Sequence, residues 1–102
     1  MGNRVSISFR NGEEESIALF DHWGGMDRVA HAQEYVVDLK RRNGDSQVMP
    51  LDRREPGTVM VDYIREITQD MERVESSLYV GTMKDPMYGD NSDNGHHVID
   101  LE

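Results

Sequence analysis

The sequence predicts an α+β domain whose elements follow the order ββααββ. Apolar residues alternate with polar ones near both ends of the chain, whereas the middle repeats its apolar residues every three to four positions. Strands at both ends and helices between them predict one mostly antiparallel four-stranded sheet with two helices packed on one face. At 102 residues the chain is expected to form a single domain, residues 1–102.

The first two strands are predicted to form a hairpin. The stretch RVSISF, residues 4–9, alternates polar and apolar side chains, as a half-buried strand does. Asn11-Gly12 follows, and this dipeptide favours a tight hairpin turn because both residues accept positive φ angles. The stretch SIALFDHW, residues 16–23, then resumes the alternation as a second strand.

The next segment predicts a helix over residues 26–42. Gly24-Gly25 ends the second strand, and the period then changes to that of a helix. Asp27 lies in the first turn and Lys40 in the last, which suits the helix dipole. The apolar residues share one face: Val29, Ala32, Val36 and Leu39.

A second helix is predicted over residues 58–74, after a loop with two prolines. Its apolar residues are spaced by four, three, four and three positions: Met60, Ile64, Ile67, Met71 and Val74. We interpret this stripe as a core face, with a dimer seam as the alternative.

The remainder predicts two more strands, residues 76–84 and 96–102, separated by a mobile loop of turn-forming residues, 85–95. We expect the last strand to pair beside the second, which would bring the histidine-bearing segments together. Leu101-Glu102 is alternatively a remnant of cloning.

Composition excludes several classes of function. The chain has no cysteine, which rules out disulfides, a thiol nucleophile and thiolate metal sites. No apolar run could span a membrane and no signal peptide precedes the first strand, so we expect a cytoplasmic protein. The net charge of −9 argues against nucleic-acid binding through bulk charge.

The corner HWGG, residues 22–25, has two interpretations. In the structural one, Trp23 packs over the edge of the core. In the functional one, free N–H groups of Gly24 and Gly25 at the helix entry bind a phosphate or carboxylate, and His22 and Arg28 add charge.

Histidines supply the candidates for catalysis and metal binding. If the last strand joins the second, His22 could act as a base oriented by Asp100, with His97 nearby. Asp90, Asn94 and His96 are candidate metal ligands, but the loop lacks the glutamate that a calcium loop requires. Adjacent His96 and His97 must face opposite sides of a strand, and we expect neither a metal site nor a cofactor.

The motifs LFDHWGG and DNGHHVIDL resemble a group of small uncharacterised proteins from phages and prokaryotic genomes. The resemblance implies no activity. It implies only that a few positions recur: Asp21, His22, Trp23, Gly24, His97 and Asp100.

These observations favour a small acidic, non-enzymatic protein-binding module of phage or mobile-element origin. A homodimer would fit the same residues. The alternative is a hydrolase- or nuclease-like enzyme that uses His22 with a C-terminal histidine and nearby carboxylates, with or without a divalent metal.

Overall fold

The computed structural model describes residues 2–41, 53–73, 78–82 and 91–102, and they form an α+β fold. Five strands make one sheet, and two helices lie between the third strand and the fourth. The elements are β1 (Val5–Asn11), β2 (Glu14–Glu15), β3 (Ala18–Asp21), α1 (Gly25–Arg41), α2 (Pro56–Thr68), β4 (Leu78–Gly81) and β5 (His96–Asp100).

The predicted hairpin is confirmed. β1 pairs antiparallel with both β2 and β3, and Gly12 takes a positive φ angle in the turn. Asn11 does not take one, because it is the last residue of β1 and pairs with Glu14. The returning strand divides into β2 and β3 because Ser16 interrupts the regular pairing. Its hydroxyl accepts the Phe9 N–H at 3.0 Å, and its own N–H donates to the Phe9 carbonyl at 2.8 Å.

The predicted position of the last strand is wrong. β5 pairs with β1, in parallel, and Ser6 faces His96 in the register. Because Ser6 also pairs with Phe20 of β3, β5 and β3 lie on opposite edges of β1. Parallel pairing needs a long crossover, which the helices and β4 between the two strands provide. The sheet is therefore mixed, with β1 at its centre and β4 beyond β3.

Both helices pack on one face of the sheet, as predicted. Their buried residues form one cluster with the apolar residues of β1, β3 and β5: Val5, Ile7, Phe9, Leu19, Val29, Ala32, Tyr35, Val36, Leu39, Val59, Met60, Tyr63, Ile99 and Leu101. Leu101 is fully buried, and its N–H donates to the Arg10 carbonyl. The end of the chain is thus part of the core.

The boundaries of α1 agree with the prediction to within one residue, whereas α2 begins and ends earlier. Pro56 starts α2, since proline needs no N–H partner there. The acidic residues Asp70 and Glu72 just beyond Thr68 oppose continuation, because they repel the negative end of the helix dipole. Neither described helix has the length and apolarity that crossing a bilayer requires.

The apolar stripe of α2 is a core face, as predicted. Met60 is buried, and Ile64 and Ile67 pack against the core. Val74 and residues 85–90 of the predicted mobile loop lie outside the described residues. The described end of that loop, residues 91–95, is a turn held to the start of β1.

Candidate functional site

Asp21, the last residue of β3, organises the corner between β3 and α1. Its side chain is almost fully buried. Oδ1 accepts hydrogen bonds from the backbone N–H groups of Trp23 at 3.1 Å and Gly24 at 2.9 Å. Oδ2 accepts Nε of Arg28 at 2.9 Å. One carboxylate therefore ties the turn to the first turn of α1.

Asn3 fixes the same corner from its other side. Its N–H donates to the His22 carbonyl and its carbonyl accepts the Gly25 N–H, both at 2.8 Å. Gly25 has a φ angle of +56°, and a Cβ atom there would run into the side-chain amide of Asn3. The junction consequently needs glycine at this position.

The predicted anion cradle exists, but the protein fills it with its own carboxylate. Gly24 N–H and Arg28 donate to Asp21, and Gly25 N–H donates to Asn3. His22 contributes only a backbone carbonyl to these bonds. The Gly24 N–H, the Gly25 N–H and Nε of Arg28 are therefore already satisfied within the protein and are not free to bind an external phosphate or carboxylate.

A polar network links this corner to α2. Nη1 of Arg28 donates to the Tyr63 hydroxyl at 3.2 Å, which leaves the hydroxyl proton for Nδ1 of His31 at 2.9 Å. Burial raises the pKa of Tyr63, against the influence of Arg28. Burial acts to lower the pKa of Arg28, but Tyr63 and Asp21 raise it overall. A charged arginine and a neutral tyrosine thus hold the corner across the physiological pH range.

Trp23 does not pack over the core edge, so the structural interpretation of this residue is wrong. Its side chain is 59% exposed, and its ring meets the His22 ring edge-on at 4.7 Å between centroids. Met26, the second residue of α1, is 50% exposed. The corner therefore presents an apolar surface on a backbone that Asp21 and Asn3 hold in place.

The predicted catalytic residues are not brought together. His22 follows β3, whereas His97 and Asp100 belong to β5 on the opposite side of β1. Nε2 of His97 donates a hydrogen bond to the Asn94 carbonyl at 2.8 Å. Asp100 lies beside Arg10, at the other end of β1 from His22. A dyad of His22 and Asp100 is excluded by this topology.

The candidate metal ligands do not converge either. Asp90 lies outside the described residues. The side-chain N–H₂ group of Asn94 donates to Asn3 and to the Arg4 carbonyl, and both ring nitrogens of His96 contact serines. Within the described ranges, no three histidine or acidic residues are placed to hold a metal ion.

A second polar cluster, which the sequence reasoning missed, lies on the sheet face away from the helices. Ser6 Oγ is 2.7 Å from Nδ1 of His96, and Ser8 Oγ is 3.1 Å from its Nε2. Ser8 donates to Glu15 at 2.8 Å, and Asn91 donates to Ser6 at 2.8 Å. The sequence feature that could have indicated this cluster is the alternation in β1, which places the small polar residues Ser6 and Ser8 on one face of the strand.

The donors and acceptors of this cluster define its protonation. The single proton of Ser8 goes to the Glu15 carboxylate, so Nε2 of His96 must donate to Ser8. Burial lowers the pKa of His96, although Glu15 opposes the shift. The neutral ring then accepts a hydrogen bond from Ser6 at Nδ1. Each group in the cluster donates to the next, in the order Asn91, Ser6, His96, Ser8 and Glu15.

The Ser6–His96 contact has the polarity of a nucleophile beside its base, but its setting is structural. Ser6 and Ser8 are both fully buried. A catalytic hydroxyl must meet substrate, whereas a buried hydroxyl needs only satisfied bonds. The cluster therefore joins β5 to β1 and to the turn at residues 91–95.

Comparisons with known proteins give no relative: no family model, no curated protein and no solved structure matches this chain.

Proposed function

We propose that this protein is a small cytoplasmic, non-enzymatic protein-binding module that binds its partner through the corner at Trp23. The observation that carries the proposal is the 59% exposure of an indole on a backbone fixed by buried bonds. Tryptophan is enriched among the residues that dominate binding energy at protein interfaces. A preorganised corner also lowers the entropy cost of binding.

The enzymatic alternative has less support. Its residues are separated by β1, and the two serine–histidine contacts described above, Ser6 and Ser8 with His96, lie at fully buried hydroxyls. The corner, by contrast, combines exposure with rigidity. We therefore favour binding over catalysis.

Affinity capture with three versions of the protein tests this proposal. We expect the wild-type chain to retain a partner from a lysate of its own organism, and Trp23→Ala to lose it, since the contact area of the indole is gone. Val61→Ala is the matched control, because Val61 is 63% exposed and belongs to α2 rather than to the corner. Equal retention by Trp23→Ala and wild type would contradict the proposal.

A further inference from the structure

The outer surface of α1 continues the apolar surface of the corner. Met26, Ala30 and Val37 are all exposed, and Val37 is 67% exposed. With 3.6 residues per turn, these three residues and Gln33 fall within an arc of about 60° on the helix. The core-facing residues of α1 occupy the adjoining arc of the helix: Val29, Ala32, Tyr35, Val36 and Leu39. We call Met26, Ala30, Gln33 and Val37 the outer stripe.

The spacing of the outer stripe suits another helix. Its members follow at intervals of four, three and four residues, which is the spacing that lets two helices interlock their side chains. Ala30 and Gln33 lie near the middle of α1, and the small side chain of Ala30 allows close approach. Trp23 lies before the first turn, where it can cover the end of a helix docked along the stripe.

Two carboxylates follow one flank of the outer stripe. Asp27 and Glu34 are seven residues, or about two helical turns, apart, so they lie on the same side of α1. Both are exposed, and neither forms an ion pair with any residue in the described ranges. Asp38, also on α1, is already paired with Arg41. The unpaired charges favour a partner that carries cations at a matching spacing.

We propose that the partner docks an amphipathic α-helix along the outer stripe, with lysine or arginine residues facing Asp27 and Glu34. This inference rests on the proposed protein-binding function. A second copy of the chain is a poorer occupant, because it would bring the same two carboxylates and another net charge of −9. A basic helix instead complements both the stripe and its acidic flank.

A synthetic peptide as long as α1, 17 residues, provides the probe. It carries leucine at three- and four-residue spacing and lysine on the flanks, and a variant with two central prolines cannot form the helix. Trp23 is the only tryptophan, so its emission reports on the site directly. We expect the helical peptide, and not the proline variant, to shift this emission to shorter wavelength and to gain helical circular dichroism.

Matched charge variants separate the site from general attraction to an acidic protein. Asp27→Asn with Glu34→Gln should weaken peptide binding about fivefold, the effect of two exposed ion pairs. Glu13→Gln with Glu14→Gln removes the same charge from the hairpin and should leave the affinity unchanged. An equal loss in both double variants would overturn the proposal.

Two further outcomes would also overturn it. The first is equal binding of the proline variant, because the helix would then be irrelevant. The second is a dimer mass in sedimentation experiments without peptide, if Val37→Glu abolishes that dimer. The outer stripe would then be the contact surface for a second copy of the chain. If the peptide fails but Trp23→Ala still loses the captured partner, the basic helix is wrong and the protein-binding function stands.

Discussion

At the scale of single residues, Asp21 fixes the backbone of the corner between β3 and α1. One buried carboxylate accepts bonds from Trp23, Gly24 and Arg28, which fixes the backbone and leaves the indole outside. The sequence predicted the strand-to-helix junction at this corner. It did not predict that Asp21 accepts hydrogen bonds from these groups, because that depends on how the end of β3 and the first turn of α1 are placed relative to each other.

The pH response of His96 follows from its buried contacts. Burial lowers the pKa of His96 in the fold, so as the pH falls below about 6.5 the unfolded chain takes up the proton first. We therefore expect this residue to contribute less stability as the pH decreases through that range. An NMR titration of the His96 ring should have its midpoint below about 6.5. A midpoint at or above that value would contradict the neutral ring inferred here.

At the scale of elements, β5 shows where sequence reasoning failed. Its alternation fits either edge of the sheet, since local patterning does not select the neighbouring strand. The informative residues were Ser6 and Ser8, whose small polar side chains are buried where His96 and Glu15 satisfy them. The hairpin and α1 were predictable because turn residues and helical periodicity are local properties.

Truncating Leu101 tests whether the end of the chain belongs to the core. Leu101→Ala removes a fully buried side chain and should lower the free energy of unfolding by about 2–4 kcal/mol. Val98→Ala, at a partly exposed position on β5, should cost less than about 1 kcal/mol. Urea unfolding measures both. Equal costs would contradict the docking of this segment.

At the scale of the whole molecule, the helices and the sheet leave the corner and the outer side of α1 as an apolar surface on an acidic protein. The fold class, the helix-covered face and the core stripe of α2 were predictable, because each is fixed by periodicity. The exposed indole was not, since a tryptophan at a strand end usually packs over the edge of the core, whereas the side chain of Trp23 is exposed.

Quenching of tryptophan fluorescence by acrylamide tests the central claim most directly, because the chain has a single tryptophan. In the free protein we expect efficient quenching, as the exposure of Trp23 requires. Addition of the captured partner should protect the indole and shift its emission to shorter wavelength. Emission and quenching that stay unchanged in the complex would show that the partner binds elsewhere and would contradict the proposed role of the corner.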